Sequence, residues 1–131
     1  MYLFHYASSE DDLARMCRFL ARNVRPGGRF VTYTINPFYD FTNVHPELVD
    51  QFSFDYHVLE HPHCELVIGG ESVDFSQWSE RAHRAALEGA GFEQVRWHRL
   101  EVPTEPAQLG AAVAWYLDHP SCIVLTATMR S

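Results

Sequence analysis

Residues 8–36, SSEDDLARMCRFLARNVRPGGRFVTYTIN, predict a helix, a tight turn and a buried strand in direct succession. Ser8 and Ser9 can cap the helix, because a hydroxyl accepts hydrogen bonds from the free N–H groups of a first turn. The residues that recur at three- and four-residue steps and form its apolar face are Leu13, Met16, Cys17, Leu20, Ala21 and Val24. Pro26 and the two glycines after it end the helix. The β-branched and aromatic run Phe30–Ile35 is typical of an interior strand, so the stretch is half of a βαβ crossover.

The middle of the chain interrupts this α/β pattern. Residues 44–75 contain short apolar or alternating runs, which are separated by His61-Pro62 and by Gly69-Gly70. Short runs with breaks of this kind predict an antiparallel insertion of two or three strands. Residues 1–7, which precede the crossover, are predicted to be the end of a buried strand that runs into a loop.

The C-terminal part of the chain predicts two long strands, each preceded by a helix. A helix capped by Ser76 leads to an alternating strand from Glu93, and a helix around Val113 leads to the apolar strand Cys122–Met129. We therefore predict one α/β domain over residues 1–131. The succession of strands and helices predicts parallel strands with helices on the faces of the sheet.

Composition excludes several classes of function. The chain has 131 residues and a net charge of −7 with histidine neutral, which argues against nucleic acid or an anionic membrane as partner. Its three cysteines lie far apart, and Cys17 and Cys122 fall on apolar elements. They are therefore predicted to be reduced core residues, which fits a cytoplasmic protein. No run reaches the roughly 18 apolar residues of a membrane span.

Residues 2–37, YLFHYASSEDDLARMCRFLARNVRPGGRFVTYTINP, resemble the middle of a class I S-adenosylmethionine-dependent methyltransferase. They are most similar to the small-molecule methyltransferases related to the toxoflavin-biosynthesis enzyme. In that family a strand ending like Leu3–Ala7 is followed by a helix, an L-x-P-G-G turn like Val24–Gly28 and the fifth strand. Trp78–Phe92, Val95–Leu100 and Ile123–Met129 resemble its last helix and last two strands. The resemblance implies the C-terminal half of a Rossmann-like sheet, closed by an antiparallel hairpin of the last two strands, with the glycine-rich cofactor loop upstream of Met1.

His5 and Tyr6 are the candidate catalytic and cofactor-binding residues. They stand at the end of a predicted strand, where open α/β sheets bind their ligands. The resemblance implies that both line the cleft for S-adenosylmethionine and substrate, with His5 as a proton acceptor near neutral pH. The alternative is a histidine that only caps a loop, since methyl transfer depends mainly on alignment and does not require a base.

An aromatic substrate pocket is the second candidate site. Phe38, Tyr39, Tyr56 and Trp78 are its predicted lining, with Phe41 and Phe54 as further candidates. Aromatic side chains with a few polar groups are the usual lining of a small-molecule site. The alternative for each is simple packing in the core or in the insertion.

A metal site is not predicted. His57, His61, His63 and Cys64 are all possible zinc ligands. However, no second pair of ligands completes a tetrahedral set, and Pro62 disturbs the local geometry. A polar hairpin tip explains these residues better.

Two functions follow from these observations. The first is the substrate-side portion of an S-adenosylmethionine-dependent small-molecule methyltransferase, which is inactive until an N-terminal half supplies the cofactor site. S-adenosylmethionine is not expected to bind this chain alone. The alternative is a non-catalytic binding or dimerisation module derived from such an enzyme. In both cases an exposed N-terminal edge strand predicts pairing, either as a homodimer or with a separate N-terminal half.

Overall fold

A computed structural model of the chain describes residues 4–42, 54–99, 101, 105, 108 and 110–131. The helices are α1 (Glu10–Arg22), α2 (Glu80–Gly89) and α3 (Ala111–Asp118). The strands are β1 (Arg29–Ile35), β2 (Phe54–Val58), β3 (His63–Ile68), β4 (Glu71–Ser76), β5 (Phe92–His98) and β6 (Cys122–Met129). These elements confirm an α/β architecture, with two three-stranded sheets. No helix in the described ranges is long and apolar enough to cross a membrane.

The first sheet has the strand order β1-β6-β5, and β6 runs antiparallel to both neighbours. Ile35 at the end of β1 is opposite Cys122 at the start of β6. β1 and β5 therefore point in the same direction, but the apolar strand β6 separates them. The predicted closing antiparallel hairpin is present as β5 and β6.

The predicted pairing of parallel strands is wrong for the described part of the chain. In the first sheet β6 inserts between the two strands that share a direction, and the second sheet is also antiparallel. Phe4–Tyr6, predicted to end a strand, form a single 3-10 turn closed by the bond from the Ala7 N–H to the Phe4 carbonyl (3.1 Å). The turn satisfies the backbone locally while Phe4 enters the core, where it is 1% exposed.

The helix, turn and strand predicted for residues 8–36 are present as α1, the Pro-Gly-Gly turn and β1, but β1, predicted as an interior strand, lies at the edge of the first sheet among the described strands. The Ser9 hydroxyl caps α1 by accepting from the Asp12 N–H at 3.1 Å. After α1, Gly27 has a φ of +76°, a conformation that favours glycine, and its N–H donates to the Met129 carbonyl at 2.9 Å. The turn thereby joins the end of α1 to the end of β6 and directs the chain into β1.

The start of α2 differs from the prediction. Ser79, and not Ser76, caps the helix by accepting from the Ala82 N–H at 3.0 Å. Ser76 is the buried last residue of β4 and so is already held by strand pairing. α1 packs against α2, and both cover one face of the first sheet. The most deeply buried side chains of this core are Phe4, Leu13, Cys17, Leu87, Phe92 and Leu125.

The second sheet is the antiparallel meander β2-β3-β4. Tyr56 is opposite Leu66, and Leu66 is opposite Val73, so one face carries an apolar row across all three strands. This sheet occupies the described part of the predicted insertion, residues 44–75, and residues 44–53 lie outside the described residues. Its apolar face turns toward a second, aromatic core cluster.

Candidate functional site

The two sheets meet where β1 ends and β6 begins, and Asn36 holds that junction together. The Asn36 N–H donates to the Ser121 carbonyl at 2.8 Å. Its side-chain Nδ2 donates to the Pro120 carbonyl at 2.7 Å, and its Oδ1 accepts from the Phe38 N–H at 2.9 Å. Asn36 is buried, so these bonds replace water and fix the loop that leaves β1.

Gln77 ties the second sheet to the same loop. Its Nε2 donates to the Asn36 carbonyl at 3.0 Å and to the Tyr39 carbonyl at 2.7 Å. Its N–H donates to the Pro62 carbonyl at 2.8 Å. The Gln77 side chain thus holds the loop after β1 against the end of β4. A gap between the two sheets remains beside this contact.

That gap is a cavity of about 300 Å³, here called the aromatic cavity. It is bounded by the end of β1, the start of β6, the apolar face of the second sheet, α3 and His5. Its lining residues are His5, Ile35, Phe41, Tyr56, Leu66, Val73, Phe75, Tyr116, Ser121 and Cys122. The volume is at the small end of the range for sites that bind organic molecules.

Three rings form the wall of the aromatic cavity. Phe41 lies with its ring centroid 4.7 Å from that of Tyr56 and 5.3 Å from that of Phe75. Tyr56 and Phe75 lie 6.4 Å apart at an interplanar angle of 83°. Tilted and edge-to-face contacts of this kind stabilise aromatic pairs. Because the rings support one another, the wall is preformed.

The described lining of the aromatic cavity carries no formal charge at neutral pH. None of these ten side chains is Asp, Glu, Lys or Arg. Burial lowers the pKa of His5, which keeps its imidazole neutral. Burial also raises the pKa of Tyr56, so its phenol stays protonated. The Tyr116 hydroxyl and Ser121 Oγ lie 3.0 Å apart and share a hydrogen bond.

A second cavity of about 320 Å³ adjoins the first and is called the turn cavity. It lies between the Phe4–Tyr6 turn and the edge of β4, whose residues contact that turn. Its lining includes Tyr6, Asp74 and Ser76. His5 and Phe75 line both cavities, so they form the boundary between them. His5 therefore occupies a position from which it can contact the contents of either one.

The structure brings together only part of the predicted site. His5 and Tyr56 both line the aromatic cavity, whereas Tyr6 lines only the turn cavity and is 64% exposed. Phe38 and Tyr39 line a third cavity of about 200 Å³. Phe38 is 69% exposed. The Tyr39 ring packs edge-on against Phe41, with centroids 4.6 Å apart, so it supports the aromatic wall from behind.

Trp78, a predicted substrate-binding residue, lies elsewhere. It is 6% exposed within the core formed by α1, α2 and the first sheet. Its Nε1 donates to the Ala7 carbonyl at 3.2 Å, and it lines neither the aromatic nor the turn cavity. Its contacts are those of a packing residue that anchors the turn before α1.

Several lining residues were missed from sequence. Phe75, Tyr116 and Ser121 come from three separate elements, and no local motif joins them. A usable signal was the predicted end of β1 at Ile35 together with the predicted start of β6 at Cys122, because residues at these two points must be close in an antiparallel pair.

His57 and His63, two of the possible zinc ligands, lie on strands of the second sheet. Within the described residues, no group of three or more His, Cys, Asp or Glu side chains could hold a metal ion. Cys64 is a buried free thiol in the aromatic cluster, and burial raises its pKa. It behaves as an apolar core residue.

The described residues contain no glycine-rich loop of the kind that holds S-adenosylmethionine. All seven glycines lie in described residues, and those with positive φ are Gly27, Gly69, Gly70, Gly91 and Gly110. None stands in a short loop between a strand and the helix after it, where a cofactor loop must present its N–H groups. The described residues therefore do not fit the whole cofactor.

Comparison with known proteins identifies the fold. No family model and no curated protein matches the chain. Among solved structures, a candidate S-adenosylmethionine-dependent methyltransferase from Listeria monocytogenes superimposes with a TM-score of 0.58 at 15% sequence identity. That match covers 99% of this chain and 60% of the other. DesVI from Streptomyces venezuelae matches with a TM-score of 0.50 at 12% identity, over 97% of this chain and 54% of the other.

These identities are low, so the likeness establishes the fold alone. The chain spans little more than half of the length of the two proteins that it resembles. It therefore has the fold of a part of an S-adenosylmethionine-dependent methyltransferase.

Proposed function

We propose that the chain is the C-terminal, substrate-side portion of an S-adenosylmethionine-dependent small-molecule methyltransferase, of the type related to the toxoflavin-biosynthesis enzyme. The observation that carries the proposal is the aromatic cavity, because it opens between the end of β1 and the start of β6 in a chain with part of the methyltransferase fold. Ligand sites of open α/β sheets lie at such strand ends.

In this proposal the chain binds and orients the methyl acceptor. Phe41, Tyr56 and Phe75 surround the acceptor and exclude water from it. His5, neutral and at the boundary between the two cavities, is the catalytic residue that accepts the proton released by the acceptor. Holding the acceptor in one orientation is the larger contribution, since methyl transfer depends on alignment.

The bound S-adenosylmethionine would supply an electrophilic methyl group, and its site would come from an N-terminal half that carries the glycine-rich loop. His5 and Tyr6 are the residues of this chain proposed to contact it, because both line the turn cavity beside the acceptor. We propose that this half joins the chain through the edge of β1 and not through the predicted N-terminal edge strand, because Phe4–Tyr6 form a turn. Among the described strands β1 pairs only with β6, so its other edge has no strand partner there.

The same edge also allows a homodimer. Size-exclusion chromatography with light scattering should therefore find a dimer, or a complex with the N-terminal half. A chain that stays monomeric at high concentration and does not bind the added N-terminal half would contradict edge pairing.

Methyl transfer by the reconstituted protein tests the function. The assay measures transfer of labelled methyl from S-adenosylmethionine to small-molecule acceptors by this chain together with the glycine-rich half. Val73 lines the aromatic cavity but is 49% exposed, so Val73→Trp can fill the cavity without disturbing the core. Ser72→Trp, one position along β4 on the opposite face, is the matched control. Val73→Trp should reduce transfer at least tenfold, and Ser72→Trp should leave it unchanged.

A non-catalytic binding or dimerisation module is the second candidate. The incomplete cofactor site in the described residues favours it. Under this function no methyl transfer appears with any half or acceptor, while edge pairing persists. If wild type and Val73→Trp transfer methyl groups equally well, the protein is an enzyme but its acceptor does not bind in the aromatic cavity.

A further inference from the structure

We propose that the aromatic cavity selects an uncharged, flat aromatic molecule that carries a hydroxyl group. This inference rests on the proposed function for its biological meaning, since it names the class of methyl acceptor. Its physical basis is independent of that function, because it follows from the volume, charge and hydrogen-bonding groups of the cavity alone.

The absence of charge among the described lining residues disfavours ionic ligands. The ten described lining residues include no carboxylate, guanidinium or ammonium group. A charged ligand would lose its hydration in the cavity without gaining a partner of opposite charge. An unpaired buried charge of this kind costs binding free energy. The deprotonated form of Tyr56 is disfavoured by burial, so this residue cannot supply a counter-charge for a cation at neutral pH.

The walls select for a ring. Phe41, Tyr56 and Phe75 present ring faces and edges, and Ile35 and Leu66 complete an apolar surface around them. A flat aromatic molecule buries the most apolar area against such walls in a volume of about 300 Å³. Sugars and phosphorylated molecules would leave most of their polar groups unpaired.

The hydroxyl requirement comes from one polar position. Tyr116 and Ser121 pair through their hydroxyls at 3.0 Å, and both line the cavity. Ser121 Oγ also donates to Cys122 Sγ at 4.0 Å, so the Tyr116 hydroxyl is the donor within the pair. The Tyr116 oxygen can still accept a hydrogen bond from a further hydroxyl without breaking either bond. A ligand hydroxyl at this position gains a hydrogen bond that a wholly apolar ligand cannot make.

One ion can still compete, because a cation is attracted to the face of an aromatic ring. The test must therefore compare a neutral ligand with both an anion and a cation of the same shape. The probes are 2-naphthol, 2-naphthoate and 2-naphthylmethylammonium, each titrated into the 131-residue chain at pH 7 and followed by calorimetry. S-adenosylmethionine is absent throughout.

The expected result is saturable binding of 2-naphthol, with each ion at least about tenfold weaker, a ratio that corresponds to about 1.4 kcal/mol. Val73→Trp should abolish 2-naphthol binding and Ser72→Trp should not. Val73→Lys places an ammonium group at the cavity mouth, so it should raise the affinity for 2-naphthoate about tenfold. Ser72→Lys, on the opposite face of β4, should leave that affinity unchanged.

Tyr116→Phe separates the hydroxyl requirement from simple apolar binding. It removes one oxygen and keeps the ring. We expect 2-naphthol to bind several-fold more weakly to this variant, and 2-methylnaphthalene to bind as it does to the wild type.

The inference is overturned if the cation or the anion binds as tightly as 2-naphthol, if 2-naphthol does not bind, or if its binding survives Val73→Trp. These outcomes are separate from those of the proposed function. Methyl transfer to an amine acceptor would support the proposed function and contradict the inference about the ligand. Selective binding of 2-naphthol without any methyl transfer would support the inference and contradict the proposed function.

Discussion

Replacing Asn36 with alanine should be among the most destabilising polar substitutions in the chain. Asn36→Ala removes two side-chain hydrogen bonds, one from Nδ2 to the Pro120 carbonyl at 2.7 Å and one to Oδ1 from the Phe38 N–H at 2.9 Å. Pro120 is buried, so its carbonyl loses a partner that water does not readily replace, at about 1–3 kcal/mol. The Phe38 N–H is nearer to solvent, and its lost bond costs about 0.5–1 kcal/mol. The total is about 1.5–4 kcal/mol.

Urea denaturation followed by circular dichroism measures this loss as a shift of the midpoint at constant slope. Asn23→Ala is the matched control, because its Nδ2 also donates to a carbonyl, that of Phe19 at 2.9 Å, but in an exposed position. It should cost about 0.5 kcal/mol. In Asn36→Asp a carboxyl oxygen can still accept from the Phe38 N–H. At a pH low enough to protonate the carboxyl group, its O–H can also donate to the Pro120 carbonyl, so the stability of this variant should then fall between those of wild type and Asn36→Ala. An Asn36→Ala effect no larger than that of Asn23→Ala would refute the role of Asn36 as the junction between the sheets.

Three further predictions test other parts of the fold. Because Ser79 caps α2, Ser79→Ala should lower the free energy of unfolding by about 1 kcal/mol. Ser76→Ala should not weaken the helix. Urea denaturation and the helical signal in circular dichroism distinguish the two variants. Burial lowers the pKa of His83 in the folded chain. The free energy of unfolding should therefore be highest above the unfolded-state pKa of about 6.5 and should fall as the pH drops below it. Unfolding measured at several pH values should show a weaker dependence of this free energy on pH for His83→Phe than for wild type. Asp74 lies directly opposite Glu65 on the neighbouring strand, so the two negative charges repel each other. Asp74→Asn should therefore stabilise the protein by about 0.2–1 kcal/mol, and by less in high salt. Unchanged stability at low salt would contradict this.

The elements with the strongest local signals were predictable from sequence. α1 combines a serine cap, acidic residues in the first turn and an unbroken apolar period, and it forms where predicted. β6 has the predicted bounds, Cys122–Met129, because an apolar run that lies in the centre of a sheet needs no alternation. The Pro-Gly-Gly turn between α1 and β1 was also predictable, since proline and glycine act on the backbone directly.

Other features depend on tertiary contacts that no local pattern encodes. The apolar residues around Phe4 suit a buried strand and a buried 3-10 turn equally well, so composition could not separate the two. The strand pairing in the first sheet depends on which strand enters beside β1, and the crossover pattern alone favoured a parallel neighbour.

The candidate site was predictable only in part for the same reason. Tyr56 was recognised as an aromatic residue of the insertion, but its partners in the cavity come from β4, α3 and β6. Trp78 has the composition of a ligand-binding residue, yet its indole N–H is engaged by Ala7 in the core. Aromatic content shows that a pocket is possible, and the packing of the sheets decides which rings line it.

Calorimetric titration of S-adenosylmethionine is the most direct test of the claim that this chain forms the acceptor side of a methyltransferase. The 131-residue chain alone should show no saturable binding in the micromolar range, because its described glycines do not form a cofactor loop. Micromolar binding should appear once the glycine-rich half is added. Micromolar binding by this chain alone would contradict the account.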